Sequence, residues 1–434
     1  MLRAFVVRSL GGLSATLTLY AAPLAAQSSP LHALIDRHAV EVNAEVVAWR
    51  RDIHEHPELS GEEVRTAKLV ADALMKMGLE VRTGVGGHGV VGMLRGSRPG
   101  PTVALRADMD ALPVAEATSL PFKSTVRTTF RGQDVGVMHA CGHDAHVAML
   151  LGAASVLSRL RDRLPGTVVF IFQPSEEAPP GGALAMIEDG VLDAPKIDAI
   201  FGLHVFPGEV GRIEYREGPL MASADNYRVT IHGRQTHGAR PWDGIDPVVI
   251  GAQLVTALQT LVSRQTDLTL TPAIVTVGAF NGGVRENIIP DSAVLIGTIR
   301  TFDRDVRKQL QERLRRTAMG IAEASGARAE VSFFEGYPVT INDSAMVRRM
   351  LPSLERVSPG KVGIAKLSMP AEDFSRFLEK VPGMFIFLAV TAPGTDMANA
   401  PANHSPLFDV DERALPVGVR AMASLAVDYL SGQR

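Results

Sequence analysis

Nine residues, Met138-His-Ala-Cys-Gly-His-Asp-Ala-His146, hold three histidines, an aspartate and the chain's only cysteine. Soft and borderline donors at this density point to a bound metal. Three distant segments carry matching chemistry: Gln173-Pro-Ser-Glu-Glu177, Gly202-Leu-His204 and Asn403-His404-Ser405. The fold must therefore bring together residues far apart in the chain. The first two of these segments come straight off apolar runs, and open α/β sheets place their sites just past strand ends. The four segments supply Cys141, His143, Glu177, His204 and His404. That exceeds what one four-coordinate ion needs, so the set implies a hydrolytic centre with two divalent ions.

The spacing of apolar residues fills in the frame. Helical periodicity covers 31–50 and 62–77, and Gly78 stops the second helix. Residues 81–94 are strand-like. Their glycines at 84, 86, 87 and 89 read as a turn, because no helix follows as a phosphate-binding loop requires. Strands are predicted at 103–106, 167–172 and 197–203, and helices at 147–160 and 183–189. Strands alternating with helices imply an α/β unit, a mixed sheet flanked by helices.

The pattern changes near Ser223. Predicted elements at 227–231, 247–264, 273–280, 292–301, 306–324 and 329–334 follow the order β-α-β-β-α-β. That is the split arrangement of a ferredoxin-like unit. Residues 222–336 therefore read as an inserted smaller domain, with 27–221 and 337–434 forming the metal-binding one. A core strand at 385–390 and a closing helix at 415–430 complete the larger unit.

The remaining 26 residues, at the start, read as a secretory signal. Arg3 and Arg8 precede an uncharged run over 10–22, and Ala21-Ala-Pro-Leu-Ala-Ala26 offers a cleavage site. The run is short for a bilayer span of about 20 residues. A secreted, periplasmic protein is expected, with no stable membrane association after cleavage. A free thiol is a liability after export, and ligation to a metal would protect it. The formal net charge of −3 gives no electrostatic case for a nucleic-acid partner.

Within the metal cluster the roles divide by chemistry. A Cys141 thiolate can be shared between two ions. Glu176 projects differently from its neighbour Glu177, and a free carboxylate beside a metal-bound water is what a general base requires. Asp110 follows a strand and can orient a ligand. Zinc suits thiolate with imidazoles, and manganese, cobalt or nickel fit the same donors. Other polar residues invite plainer readings. Glu62 and Glu63 suit the first turn of a helix, and His54 and His56 a surface-like helix end.

The segments Leu105-Arg-Ala-Asp-Met-Asp-Ala-Leu-Pro113, His139-Ala-Cys-Gly-His-Asp-Ala-His146, Gln173-Pro-Ser-Glu-Glu177 and Ser368-Met-Pro-Ala-Glu-Asp-Phe374 resemble the M20 metallopeptidases. More narrowly they resemble amidohydrolase subfamily D, which includes hippurate hydrolases, N-acyl-amino-acid amidohydrolases and plant auxin-conjugate hydrolases. The resemblance runs from about residue 35 to the C-terminus. It implies a di-metal site on Cys141, His143, Glu177, His204 and His404, with Glu176 as base. It also implies that the inserted domain is a lid and dimerisation domain, so that a homodimer or higher homo-oligomer is expected. His237 matches the lid histidine that stabilises an oxyanion. Asn287 matches the lid asparagine near the substrate carboxylate, and Arg300 can assist it. The implied substrate is an N-acyl amino acid or short peptide. A dipeptidase or carboxypeptidase of the same superfamily is the enzymatic alternative. A non-catalytic metal- or peptide-binding protein on the same scaffold is the other, and the presence of Glu176 weighs against it. Gly238, Pro241-Trp242 and Pro370 depart from the family pattern, and all three bear on substrate preference.

Replacing the cysteine tests the cluster directly. Cys141→Ala should weaken binding of at least one ion, since no second cysteine can substitute. Metal content after dialysis is the measurement, and unchanged stoichiometry and affinity would remove Cys141 from the ligand set.

Overall fold

The computed structural model describes residues 30–432. The signal-like segment at 1–26 lies outside the described residues. An eight-stranded sheet runs in the order Glu80–Val85, Gly89–Arg95, Pro165–Gln173, Arg98–Asp108, Ala199–Glu209, Gly383–Thr391, Ile213–Tyr215, Val362–Ile364. The four middle strands are parallel. An antiparallel hairpin, Glu80–Val85 with Gly89–Arg95, extends one side, so the sheet is mixed. The glycines at 84, 86, 87 and 89 form the turn of this hairpin and its flanks.

Apolar clusters cover both faces of the sheet. Val103, Leu105, Phe170 and Phe172 face one side, while Ala104, Val169 and Ile171 face the other. Successive strand residues point to opposite faces, so a strand covered on both sides needs an unbroken apolar run such as 167–172. Helices Pro30–Glu55, His143–Arg159, Ser344–Val357 and Leu415–Leu430 pack on the first face. Helices Gly182–Glu188 and Phe374–Leu378 pack on the second. Among the described residues no helix is long and apolar enough to cross a membrane.

Residues 223–335 build a separate apolar cluster around Tyr227, Leu254, Leu258, Leu295, Leu310 and Leu314. Its strands order as Ala273–Gly282, Ser292–Thr301, Ser223–His232, Arg328–Glu335, each antiparallel to its neighbour. Helices Pro247–Ser263 and Arg304–Ala324 pack against this sheet. Asp246 and Asp303 cap them, each accepting two backbone N–H bonds. The expected ferredoxin-like order is present.

Several elements extend beyond their expected bounds, and two of these extensions shape the site. The helix expected from Val147 begins at His143, so His143 and His146 lie in its first turn. The strand expected to end at Leu203 continues to Glu209. Its pairing with Arg98–Asp108 stops at Gly202, whereas pairing with Gly383–Thr391 continues past His204. His204 therefore lies inside a strand that has lost one neighbour. Helix Ser344–Val357 occupies a stretch with no predicted element. Asp343 caps it, and Pro352 interrupts the sequence signal from within.

Candidate metal centre

Gly142 sets the first two donors. Its φ of +91° is left-handed, a region glycine enters without steric cost. A Cβ there would stand 2.3 Å from Val205 Cγ2. Only glycine lets the Cys-Gly-His turn lie against the His204 strand. Cys141 Sγ reaches His204 Nε2 at 3.4 Å.

Each imidazole is oriented through its other nitrogen. His204 Nδ1 bonds Val205 O at 2.8 Å, and His143 Nδ1 bonds Asp110 O at 2.8 Å. Carbonyls only accept, so both Nδ1 atoms carry a proton, and Nε2 is the nitrogen each neutral ring would offer to a metal. This is the usual support for a metal-binding histidine. Burial opposes charge on His143, but the carboxylates around it raise it to about 10, a proton that a metal would displace. His143 Nε2 and Glu177 Oε1 are buried without a hydrogen-bond partner. They stand 4.0 Å apart, and His404 Nε2 lies 3.2 Å from the same glutamate oxygen. Donor atoms of Cys141, His143 and His204 fall within 4.8 Å of one another, as do those of Cys141, Glu177 and His404. All five expected donors thus converge. The unpartnered atoms and the mix of thiol, imidazoles and carboxylate fit a pair of divalent cations.

The loops that carry these donors are fixed by anions and one amide. Asp110 accepts the backbone N–H of Glu176 at 3.0 Å and of Glu177 at 2.9 Å, one on each oxygen. Ser60 Oγ also donates to it, at 2.6 Å. Glu63 accepts the preceding N–H, that of Ser175, at 2.7 Å. Ser175 has a φ of +54°, and successive N–H groups around such a residue form an anion-binding concavity. Asn403 Nδ2 donates to both Cys141 O and Val205 O, at 3.0 and 3.1 Å. It ties two donor segments together while the adjacent His404 supplies its ring.

A buried arginine balances the floor of the site. Arg106 donates to Asp108 at 2.6 Å, to Gln173 at 2.8 Å, and to Glu372 and Asp373 at 2.9 Å each. Negative charge still predominates. Burial, then Glu372, Glu177, Asp373 and Asp110, push the Glu176 carboxyl well above its ordinary range. Burial, then Glu177 and Glu176, push the Cys141 thiol up. Divalent cations in the cluster would oppose both shifts.

Two plainer sequence expectations are corrected. Glu63 is not a solvated first-turn residue but is fully buried, because its Oε1 holds Gly61 and Ser175 backbone N–H groups. His54 is also buried, at a helix end that packs inward. It contacts Asp144 at 2.9 Å and Glu116 at 3.3 Å. Burial opposes its charge, but these carboxylates raise it to about 9. The other two histidines of the cluster are not among the five donors. His146 uses both nitrogens, on Asp108 and on the Val205 N–H. His139 is buried without a hydrogen bond on either nitrogen, and burial lowers it to about 3.

A cavity of about 140 Å³ opens beside Cys141, Glu176, Glu177, His204 and His404. Phe206, Met221, Pro370 and Ala371 wall it. His237, Asn287 and Arg300 do not line it. His237 and Asn287 instead meet each other at one end of the inserted unit, where Gly238 N donates to Asn287 O at 2.8 Å. A Cβ on Gly238 would come within 3.1 Å of that carbonyl, so glycine permits the close approach. His237 is exposed, and its Nδ1 accepts the Ala239 N–H at 3.0 Å. That assigns the ring proton to Nε2, a free donor. Arg300 lies on strand Ser292–Thr301, opposite Ala224 and Ile274. Trp242 is 73% exposed and walls no part of the cavity.

Arg106, Glu372 and Asp373 lie within the motif segments, and Asn403 is adjacent to His404. Glu63 and Tyr337 gave no usable signal, because only tertiary contact shows what they hold.

An α/β unit with an inserted ferredoxin-like unit and a buried cysteine–histidine–glutamate cluster defines a metal-dependent hydrolase. A model of peptidase family M20/M25/M40 matches residues 104–428, and the chain belongs to that family. It is 43% identical over 395 residues to thermostable carboxypeptidase 1 of Saccharolobus solfataricus, covering 90% of this chain and 96% of that one. It is 40% identical over 392 residues to N-acetylcysteine deacetylase of Bacillus subtilis, covering 89% and 97%. The solved Bacillus subtilis YXEP protein, described as a dinuclear metal-binding peptidase from the M20 family, superposes with a TM-score of 0.76 at 37% identity, covering 90% and 99%.

Asp110 is the test of how the donors are held. In Asp110→Asn an NH₂ group would face the Glu176 or Glu177 N–H that a carboxylate oxygen now accepts. Metal affinity should fall about 10- to 100-fold, the usual cost of losing such a support. Equilibrium dialysis measures it, and wild-type affinity would show that the glutamate loop keeps its shape without this anion.

Proposed function

We propose that the protein is a secreted amidohydrolase that cleaves the amide of N-acyl or N-aminoacyl amino acids. Cys141, His143, Glu177, His204 and His404 would hold two divalent ions, with zinc the best match to thiolate and imidazole. Bound there, the ions supply a Lewis acid for the carbonyl and make a water easier to deprotonate.

One observation carries the proposal. Glu176 is a buried carboxylate that opens on the cavity and is left over from the five-donor set. Glu176 accepts the proton of the attacking water and passes it to the leaving amine. His237 Nε2–H donates to the developing oxyanion, and Asn287 with Arg300 holds the substrate carboxylate. Both roles require the inserted unit, residues 222–336, to swing toward the cavity or that of a second copy to reach it across the proposed dimer contact. The cavity is far smaller than the ~300–1,000 Å³ of pockets for drug-sized ligands, and its apolar wall suits a short acyl group. The deacetylase relative supports an acyl substrate.

The carboxypeptidase relative favours a peptidase as the alternative. Metal-reconstituted enzyme should be assayed on matched N-acetyl amino acids, N-benzoyl amino acids, N-blocked dipeptides and free dipeptides. Fastest turnover is expected on the N-acyl amino acids. A preference for free dipeptides would narrow the substrate to the N-aminoacyl kind, and a preference for N-blocked dipeptides would overturn the assignment in favour of a carboxypeptidase. Glu176→Gln should keep its metal and lose about 10²- to 10⁴-fold in kcat, the typical contribution of a positioned base. Near-wild-type turnover at normal metal content would exclude Glu176 as the base. Export is supported by the features of residues 1–26 alone. Mass spectrometry of the purified native protein should find an N-terminus near residue 27, and an intact Met1 would rule out cleavage.

A further inference from the structure

The chain enters the inserted unit at Ala222–Ser223 and returns at Glu335–Tyr337. The two crossings are bonded to each other, Ala224 N to Tyr337 O at 2.9 Å. On the side of the inserted unit, Asp225 accepts from Gly336 N at 3.4 Å and from Gln311 Nε2 at 2.9 Å. Arg307 Nε bonds the same carboxylate at 2.7 Å. On the side of the larger unit, Arg376 Nη2 donates to Gly336 O at 2.7 Å. The next residue, Tyr337, is 6% exposed, and its hydroxyl donates to the backbone carbonyl of Glu176.

Glu176 is thus held both by the sheet and by the first residue after the returning crossing. Its N–H is anchored on Asp110, at the end of a central strand of the sheet. Its carbonyl is anchored on the returning hinge. A rotation of the hinge moves Tyr337 while Asp110 stays with the sheet. Such a rotation pulls on the Glu176–Glu177 peptide, whose flanking N–H groups Asp110 holds, and so shifts the side chain against the Asp373 N–H that its Oε1 accepts at 3.4 Å.

We propose that Tyr337 is a positioning residue that couples the angle of the inserted unit to the aim of the Glu176 carboxylate. The inference rests on Glu176 being the base. It adds that the base is correctly aimed only when the inserted unit stands at its working angle. Binding in the cavity and proton transfer would then be linked through one phenol.

Tyr337→Phe removes the hydroxyl and keeps the ring. The expected result is a loss of about 10- to 100-fold in kcat, the scale of a small misplacement of a reacting group. KM, metal content and melting temperature should change little. Unchanged kcat, or a loss explained by lost metal, overturns the proposal. Additivity separates positioning from general weakening. In a Glu176→Asp background, where the base is already misplaced, Tyr337→Phe should cost little more. A full second loss means that Tyr337 acts elsewhere. Should Tyr337→Phe fail to fold, Arg376→Ala loosens the same crossing from a more accessible position. It should lower kcat severalfold at constant metal content, and unchanged kcat there counts against the coupling. Glu176→Gln keeps the two ideas distinct. If that variant retains turnover, the base assignment fails whatever Tyr337 does. If it is inactive while Tyr337→Phe is fully active, only the coupling fails.

Discussion

The guanidinium of Arg106 is the interaction on which the site depends. It sits at the end of a central strand, fully enclosed, and binds Asp108, Gln173, Glu372 and Asp373 at once. Three of these partners are carboxyl groups in a place with little water. Removing one partner of a buried ion pair typically costs about 3–5 kcal/mol, because the other charge is stranded. Here a single loss would strand three carboxylates. Arg106 also decides geometry, since its partners come from three separate parts of the chain. Gln173 opens the glutamate loop, Asp108 orients His146, and Glu372 and Asp373 belong to the returning segment. The parallel strands bring the first two together, and the arginine draws in the third.

Around that floor the donors are fixed by a small number of side chains that bond backbone rather than metal. Asp110 and Glu63 hold three successive N–H groups of the glutamate loop. Asn403 joins the carbonyls of Cys141 and Val205. His146 closes the remaining gap between Asp108 and Val205. A site of this kind is stiff because each loop is bonded at the residue beside its donor. Stiffness matters for a pair of ions, whose separation is set by the positions of five side chains from four segments.

The inserted unit relates to this frame through two crossings and the contacts around them. Its apolar core is its own, so it can move as a body. Its histidine and asparagine lie at one end, apart from the cavity, whereas its hinge touches the glutamate loop. On the proposed roles, substrate recognition and base placement lie at opposite ends of the same unit. Pro370 and Ala371 join this relation from the other side. Ser368, two residues earlier, is bonded to Leu220 and Ala222 at the outgoing crossing, so the cavity wall and the hinge share one strip of backbone.

The sequence by itself determined the chemistry and the layout. A lone cysteine among histidines, and glutamates directly after an apolar strand, can be recognised locally because donor type and strand periodicity are local properties. The same periodicity showed the β-α-β-β-α-β unit, since each of its strands is half-buried and alternates. Tertiary structure decided which of the neighbouring polar residues matter and how. His139, His143 and His146 look alike in sequence, yet one is an enclosed neutral ring, one has an unpartnered Nε2, and one has both nitrogens bonded. Glu63 reads in sequence as a first-turn residue suited to the helix dipole, because the loop it holds, at Ser175, lies more than a hundred residues away. Tyr337 carried no signal at all. What such residues do is set by the group they meet across the fold, and a buried hydrogen bond between distant segments leaves no spacing or period in the chain.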